Sequence, residues 1–212
     1  MSVVVETLRK VLRYGHHEAI AVTVNEDGSP HAAAMGVRTV GEDVVLYPYV
    51  DTRTFRNIRR GSLVSLALTH NSLIFCDVVT GSPRLKFKRG KTDGIYLLDA
   101  DVDFYIEATP RDIEIRNRVA SVFTRVLDVY EGSGSYFSYS RANSMLIEAL
   151  VYFTKIRAHG FTSLSRGGSV SKWFEFLEYS ASIVRRLGSE ELVKCVERIY
   201  EELKKLGMRI EL

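Results

Sequence analysis

The stretch AIAVTVNEDGSPHAAAMGV, residues 19–37, decides the fold. Its first six residues, 19–24, are rich in β-forming side chains and predict a strand. Asp27-Gly28 and the proline that follows have the turn chemistry that reverses a chain. The last part, residues 31–37, predicts a second strand that pairs with the first, so this segment forms an antiparallel β-hairpin.

More strands are predicted on the C-terminal side of this hairpin, joined by short turns. They cover residues 44–49, 63–69, 73–79, 102–114 and 119–130, although 73–79 also fits a buried helical turn. A short helix is predicted for residues 54–60, and the polar, basic stretch 81–94 is predicted to be a loop. Many strands joined by short turns favour a barrel over a doubly wound sheet.

After residue 145 the hydrophobic period changes from two to nearly four residues, which predicts helices. One helix covers residues 145–156 and ends at Gly160, and two more cover 169–187 and 189–206. We therefore predict an α+β fold, mainly β, in which a barrel is followed by a C-terminal helical hairpin. The expected domains are residues 1–160, the barrel with its closing helix, and residues 161–212, the hairpin packed on the barrel or on a partner.

The composition is that of a packed globular protein, with 46% hydrophobic and 26% charged residues. The net charge of +3 is too small to indicate a nucleic-acid-binding protein by itself. The N-terminus lacks the basic and apolar pattern of a signal peptide, and no segment is apolar enough to span a bilayer. We expect a cytoplasmic protein without a membrane partner.

The cysteine and histidine positions do not indicate a disulfide framework or a metal site. Cys76 and Cys195 lie far apart without CxxC spacing, and the five histidines show no ligand spacing. This pattern fits a reducing compartment such as the cytoplasm. We expect no metal.

The second strand of the hairpin has almost no side-chain bulk before Met35, because residues 32–34 are all alanine. A strand of small residues packs poorly unless something else approaches closely. A flat isoalloxazine ring would suit this position, since backbone N–H and C=O groups beside residues 34–37 match its hydrogen-bonding edge. A tight contact with a helix explains the same pattern, and the strand taken alone favours that explanation.

The segment DTRTFRN, residues 51–57, brings two hydroxyls, an amide and two arginines to the predicted start of a helix. Free N–H groups and the positive end of the helix dipole favour an anion such as a phosphate there, and the side chains add charge-assisted hydrogen bonds. In the simpler interpretation, Thr52 or Thr54 is an N-cap and the arginines are solvated.

Three motifs in series resemble a known family. They are AVTVNEDGSPHAAAMGV at residues 21–37, DTRTFRNI at 51–58 and SRANSMLIEALVYFTK at 140–155. Together they are similar to a prokaryotic family of uncharacterised, flavin reductase-like proteins in the FMN-binding split-barrel superfamily. The resemblance runs from about residue 18 to residue 157.

The resemblance implies an FMN-binding split β-barrel that forms a homodimer, with the flavin at or near the subunit interface. Carried over by position, it assigns the flavin ring to Ala34, Met35, Gly36 and Val37, and the phosphate to Thr52, Thr54 and Asn57. The family pattern Asn-x-Ala-Pro-Met-Gly is changed here, because His31 stands in place of the asparagine and Ala34 in place of the proline.

Two other clusters receive structural interpretations. Arg141 and Glu148 lie seven residues apart on one face of the predicted helix, where they can form an ion pair that positions the helix or reaches a dimer partner. The basic stretch 84–91 is interpreted as a solvated loop, with attraction to phosphate or nucleic acid as the less favoured alternative.

The sequence does not identify a nucleophile, base and orienting group, so catalytic side chains stay unknown. The first hypothesis is an FMN-dependent oxidoreductase of flavin reductase type, with a nicotinamide as candidate electron donor and an unknown substrate. The alternative is a non-catalytic flavin-binding or flavin-carrying module. A third hypothesis, a nucleic-acid-binding barrel that uses residues 84–91, is not favoured.

Overall fold

The computed structural model describes residues 3–12, 15–81, 84–134, 140–159 and 169–208. The chain forms two compact units. The first contains residues 1–70 and 84–136, and the second contains residues 71–83 and 137–212.

Within its described residues, the first unit contains two helices and eight strands. They are α1 (Val3–Val11), β1 (His17–Val24), β2 (Pro30–Val40), β3 (Asp43–Leu46), α2 (Arg53–Arg59), β4 (Val64–Leu68), β5 (Phe87–Arg89), β6 (Tyr96–Leu98), β7 (Phe104–Arg116) and β8 (Val119–Glu131). Six strands close into an antiparallel barrel in the order β1-β2-β3-β8-β7-β4. The predicted α+β fold with a barrel is confirmed.

The hairpin predicted from residues 19–37 is the β1–β2 pair. Its register places Ala19 opposite Met35 and Thr23 opposite His31. Gly28 in the turn has a φ of 81°, a left-handed conformation that glycine adopts without steric cost. Local turn chemistry and strand composition therefore identified this part of the fold.

The barrel interior is filled by alternate residues of each strand, as the period of a β-strand requires. Ala19 and Ala21 of β1 and Ala33 of β2 line the inside beside larger side chains from the other strands, including Leu66, Ile106 and Val122. Helix α1 contributes Leu8 and Leu12 to this core, and α2 contributes Phe55 and Ile58. These contacts place the start of α2 against the barrel.

The expected loop over residues 81–94 is wrong for residues 87–89, which form β5 and pair with β6. The Ser65 hydroxyl, on the outer face of β4, donates to the Tyr96 carbonyl at 2.7 Å. The small β5–β6 sheet thus packs on the outside of the barrel. Its strands have only three residues each, too few for a visible alternation of hydrophobic and polar side chains.

The second unit contains α3 (Ser72–Thr80), α4 (Arg141–His159), α5 (Ser169–Leu187) and α6 (Glu190–Lys205). The strand interpretation of residues 73–79 is wrong, and the helical alternative holds. The Asn71 side chain caps the start of α3 by accepting from the Leu73 amide at 3.1 Å, and Gly81 ends the helix in the left-handed conformation. An asparagine cap and a terminal glycine were local signals for this helix.

Helix α4 packs against α3, α5 and α6 within this unit. The units therefore divide the chain differently from the expected boundary at residue 160, since α4 lies with the C-terminal helices. The C-terminal helical hairpin itself is present as α5 and α6, with bounds close to those predicted. Within the described ranges, no helix is both long enough and apolar enough to cross a membrane.

The expectation that the chain has no disulfide is wrong. Cys76 in α3 and Cys195 in α6 form one, with their Cα atoms 6.3 Å apart. The guanidinium of Arg198, one turn further along α6, donates to the Cys76 sulfur at 3.1 Å and to Asp77 at 2.7 Å. Packing of α3 against α6 brings together two cysteines that are 119 residues apart. The cysteine pattern therefore no longer supports a reducing compartment.

Candidate functional site

The segment predicted to contact a flavin ring lies in the middle of β2, where side chains alternate between the two faces of the barrel wall. Met35 and Val37 are buried in the barrel core. Ala34 and Gly36 lie on the outer face and are half-buried. A flat ligand on the outer wall would meet Ala34 and Gly36 directly, whereas Met35 and Val37 would offer only their backbone.

One edge of β2 is free beside this segment. On one side, residues 30–37 pair with β1. On the other side, β3 pairs with β2 only over residues 37–40, and the Tyr47 amide then donates to the Gly36 carbonyl at 3.3 Å. In the described part of the chain, no strand continues along residues 31–35 on that side. This edge therefore presents main-chain groups next to small side chains.

A flat ring already approaches Gly36, and it belongs to His16. A Cβ atom at position 36 would collide with the His16 imidazole where it lies, so a larger residue there would require this exposed side chain to move. The His16 ring stacks on Tyr47 with 5.9 Å between centroids, and the Arg38 guanidinium lies 5.6 Å from the centre of the Tyr47 ring. The segment predicted to contact the ring thus ends at a cluster of aromatic and basic side chains.

Thr52 is the N-cap of α2. Its hydroxyl oxygen accepts from the Phe55 amide at 3.3 Å, while its hydrogen is donated to the Tyr49 carbonyl at 2.6 Å. The N-cap alternative for Thr52 is confirmed, and the hydroxyl is occupied by these two bonds. A phosphate contact of Thr52 remains a prediction.

Thr54 is the second residue of α2, and its side chain is buried. Among the buried side-chain polar atoms of the described residues, its Oγ1 is the one without a hydrogen-bond partner. Burying a hydroxyl without a partner is unfavourable, and such groups call for an explanation. A bound ligand that accepts a hydrogen bond from the Thr54 hydroxyl would explain it.

Asn57 has a structural role that the sequence did not reveal. Its amide nitrogen donates to Thr23 Oγ1 and to Asn25 Oδ1, both at 3.0 Å, and its oxygen accepts from Arg60 at 3.2 Å. Both amide hydrogens are therefore engaged in holding α2 on the end of β1. To contact a phosphate as predicted, the Asn57 amide would have to break one of these hydrogen bonds and donate to the phosphate instead.

The start of α2 is electrostatically positive. Arg53 and Arg56 are exposed on the helix, and the helix dipole adds to their field. Burial lowers the pKa of the His31 imidazole, and the positive charge of Arg53 lowers it further. His31 lies at the beginning of β2 opposite Thr23, and Asn57 of α2 donates a hydrogen bond to that threonine.

The third motif lies in the helical unit. The Asn143 side-chain oxygen accepts from the Ser72 amide at 3.0 Å and from the Ser72 hydroxyl, which joins α4 to the start of α3. Arg141 and Glu148 are both exposed, and the structure shows no ion pair between these two side chains. The expected ion pair is therefore absent, because each long side chain extends into solvent.

Two of the five basic side chains in the stretch 84–91 form ion pairs with acidic side chains. Lys88 pairs with Asp99 at 3.4 Å and Lys91 pairs with Asp128 at 3.0 Å. Arg89 lies 4.2 Å from the centre of the Tyr96 ring. These contacts reduce the positive charge of the stretch, and the absence of a nucleic-acid partner stays a prediction.

Sequence reasoning missed a buried carboxylate, Glu107 in β7. It is fully buried and accepts hydrogen bonds from the Lys91 amide at 2.7 Å, the Thr92 amide at 2.8 Å and the Tyr130 hydroxyl at 2.6 Å. Burial raises the pKa of this carboxyl, but hydrogen bonds from Thr92, Tyr130 and Lys91 outweigh it and hold the pKa below its usual value. Glu107 thus anchors the turn between β5 and β6 on the barrel.

A second missed feature is the pair formed by His70 and Asp103. Asp103 Oδ2 accepts from the His70 amide at 3.0 Å and lies 2.8 Å from the imidazole Nδ1. The imidazole is largely exposed. The sequence contained no signal for this pair, because its members are 33 residues apart.

A groove of about 760 Å³ lies elsewhere on the barrel. It is lined by residues of α1, of the turn between β2 and β3, and of β7 and β8. None of the described residues that line it belongs to the predicted site. The candidate site therefore consists of the free edge of β2 and the start of α2.

Comparison with known proteins agrees with this architecture. A family model described as the N-terminal domain of a protein of unknown function, DUF447, matches residues 17–132. An FMN-bound protein of Methanosarcina mazei assigned to the same family has a structure similar to this chain, with a TM-score of 0.73 and 17% identity over 90% of this chain and 96% of that one. This likeness confirms the fold.

Weaker structural matches are proteins described as flavin reductases. A flavin reductase in complex with NADP⁺ matches with a TM-score of 0.49 and 18% identity, over 63% of this chain and 89% of that one. The styrene monooxygenase flavin reductase of Pseudomonas putida matches with a TM-score of 0.49 and 12% identity, over 59% and 86%. The family model covers residues 17–132, more than half of the 212-residue chain, so the predicted membership of an uncharacterised family is confirmed and the chain belongs to the DUF447 family.

Proposed function

We propose that this protein binds FMN and is a flavin-dependent oxidoreductase of flavin reductase type. The observation that carries the proposal is the buried Thr54 hydroxyl, which has no partner at the start of α2. A phosphate oxygen would accept its hydrogen, and Arg53 and Arg56 would offset the phosphate charge. The FMN-bound family member from Methanosarcina mazei supports the choice of FMN as the anion.

The ring end of the ligand is assigned to the free edge of β2. Ala34 leaves room on the outer wall, whereas the exposed His16 imidazole over Gly36 would have to move aside. Main-chain groups of residues 31–35 are not paired with another strand on that side, as far as the described residues extend. An isoalloxazine ring has donors and acceptors along one edge, which main-chain groups can match. The small side chains and the open edge therefore support the same assignment.

The spacing of the two parts suits one elongated molecule. Asn57 of α2 donates to Thr23, which lies opposite His31 at the start of β2, and Met35 lies four residues later along the strand. Four residues of a β-strand extend over about 13 Å. A ligand with a flat ring at one end and a phosphate at the other matches an arrangement in which β2 holds the ring and α2 holds the anion.

The chain's own residues would bind and orient the cofactor. Bound FMN would supply the redox chemistry by accepting a hydride, for which a nicotinamide is the candidate donor. The main chain of β2, backed by the barrel core, would exclude water from one side of the cofactor. We assign no acid or base to the chain, because flavin chemistry does not require one.

The test begins with the purified protein. We expect it to be yellow and to release FMN on denaturation. Under anaerobic conditions we expect NADH or NADPH to bleach the flavin absorbance within seconds to minutes, and absorbance spectroscopy records both results.

The two parts of the proposal fail separately. Lack of FMN retention, even after reconstitution with excess FMN, would contradict the cofactor assignment. Retention of FMN without bleaching by either nicotinamide would contradict the reductase assignment and favour a non-catalytic flavin-binding or flavin-carrying module.

A further inference from the structure

The imidazole of His16 lies in the space where the proposed flavin ring would meet the barrel wall. An added Cβ atom at Gly36, on the outer face of β2, would collide with this imidazole. Ala34 faces the same way, because side chains two residues apart on a strand share one face. A flat ring that covers both positions on the outer wall must therefore take the place of His16.

The ring of Tyr47 lies beside the same space. Its amide donates to the Gly36 carbonyl at 3.3 Å, which holds the Tyr47 backbone next to Gly36. The His16 imidazole stacks on the Tyr47 ring, with 5.9 Å between the centroids and 28° between the planes. This separation lies within the range of about 4.5–7 Å in which aromatic rings attract one another. Gly36 and Tyr47 therefore already accommodate one flat aromatic ring, which belongs to the protein itself.

The imidazole is weakly held in this position. The His16 side chain is 56% exposed, and its Nε2 lies 3.9 Å from Glu18 Oε1, beyond hydrogen-bond distance. Among the described residues, none forms a hydrogen bond with this imidazole. The preceding Gly15 has a φ of 89°, a left-handed conformation that glycine adopts without steric cost. A ligand ring can therefore displace His16 without breaking a hydrogen bond.

A larger flat ring would gain contacts that the imidazole lacks. It would extend from Gly36 over Ala34, and its polar edge would reach the main-chain groups of residues 31–35, which pair with no described strand on that side. The Arg38 guanidinium lies 5.6 Å from the centre of the Tyr47 ring and adds positive charge at the other end. Dispersion attraction grows with the number of atoms in contact. The isoalloxazine ring, with three fused rings and a polar edge, matches these surroundings.

We propose that Gly36 and Tyr47 form the subsite for the isoalloxazine ring, that this ring stacks on Tyr47, and that His16 fills the subsite while no flavin is bound. Tyr47 then raises the affinity for flavin, and His16 lowers it. When only part of a protein population is competent to bind, the apparent dissociation constant of the ligand rises in proportion. The inference rests on the proposed function, since it concerns the ring end of the same FMN site.

The contact between His16 and Gly36 can be tested without flavin. An aromatic ring shifts the NMR resonances of the protons beside it, so the Gly36 amide resonance is expected to move in His16→Ala. His70→Ala is the matched control, because this exposed histidine follows β4, which β1 separates from β2. It should leave the Gly36 resonance in place. A Gly36 resonance that is the same in the wild type and in His16→Ala would overturn the proposal.

Removal of the His16 ring should tighten flavin binding. We expect His16→Ala to lower the dissociation constants of FMN and of riboflavin, which has the ring without the phosphate, by the same factor of roughly three to ten. Inorganic phosphate, which has no ring, should bind to the wild type and to His16→Ala with the same affinity. Fluorescence titration of the flavin-free protein measures both flavins, and calorimetry measures phosphate. Equal or weaker flavin binding by His16→Ala would contradict the competition.

Removal of the Tyr47 ring should have the opposite effect. Tyr47→Leu keeps an apolar side chain but loses the stacking surface, so the dissociation constants of both flavins should rise roughly threefold to tenfold. Tyr47→Phe keeps the ring and should bind both flavins like the wild type. Flavin binding that is unchanged in Tyr47→Leu would show that the ring lies elsewhere and would overturn the subsite.

Thr54→Val separates a failure of this subsite from a failure of the proposed function. It should weaken FMN binding and leave riboflavin binding unchanged, because riboflavin has no phosphate to accept from the Thr54 hydroxyl. A wild type that binds neither flavin would overturn both proposals. If Thr54→Val weakens FMN binding while the His16 and Tyr47 variants bind both flavins like the wild type, the proposed function stands and the ring subsite is wrong.

Discussion

Replacing Thr54 by valine is expected to stabilise the flavin-free protein and to weaken its binding of FMN. Valine has nearly the shape of threonine and removes the buried hydroxyl that has no partner. Burying an unsatisfied hydroxyl costs about 1–3 kcal/mol, so its loss should raise the free energy of unfolding without ligand. The same change removes a hydrogen bond to a charged group, which should raise the FMN dissociation constant roughly tenfold to a hundredfold.

Thr124→Val provides a matched control. Thr124 is also fully buried in the barrel wall, but its hydroxyl donates to the Val44 carbonyl at 2.8 Å. We expect this variant to lose about 1 kcal/mol of stability and to keep the FMN affinity of the wild type. Denaturant unfolding without flavin and fluorescence titration with FMN measure the two quantities. An unchanged FMN affinity for Thr54→Val would show that the phosphate lies elsewhere.

Replacing Glu107 by alanine is expected to cause a large loss of barrel stability, about 3 kcal/mol or more. The change leaves the amides of Lys91 and Thr92 and the hydroxyl of Tyr130 without their acceptor, and hydrogen bonds to charged groups are the strongest of their kind. Glu42→Ala, at an exposed position in the turn after β2, should change stability by less than about 0.5 kcal/mol. Guanidinium denaturation followed by circular dichroism compares the two variants.

The contribution of Glu107 should depend on pH in a defined direction. Since its pKa is lowered in the folded state, its stabilising effect is present above the unfolded pKa of about 4.3 and is lost as the pH falls through the lower folded value. The difference in unfolding free energy between wild type and Glu107→Ala should therefore be constant near pH 7 and shrink below about pH 4. A difference that grows in acid would contradict the role given to this carboxylate.

Much of the fold was predictable because its signals are local. The β1–β2 hairpin follows from strand composition and turn residues within 19–37, and helix α5 follows from the spacing of its apolar residues. The N-cap role of Thr52 depends on Phe55, three residues away. The apolar run at residues 73–79 fitted either a strand or a helix, so the sequence analysis left both open for α3. Asn71 and Gly81, which cap the two ends of this helix, were local signals for the helix.

The candidate site was predictable only in part. The sequence placed two threonines, an asparagine and arginines near the start of a helix, and the structure agrees with that placement. It could not show which of these groups is already occupied. Asn57 is engaged with Thr23, which is 34 residues away in the chain, whereas the neighbouring Thr54 hydroxyl has no partner.

By itself, the sequence determined the barrel-forming hairpin, the helical C-terminal part and the anion-favouring start of α2. Each of these features depends on residues that are close to one another in the sequence. Only the tertiary structure decided that Cys76 meets Cys195 and that Glu107 anchors a distant turn. It also decided that the Thr54 hydroxyl, and not the Asn57 amide, has no hydrogen-bond partner. Those outcomes depend on which distant segments pack together and on whether each buried polar group finds a partner there. No local pattern contains that information.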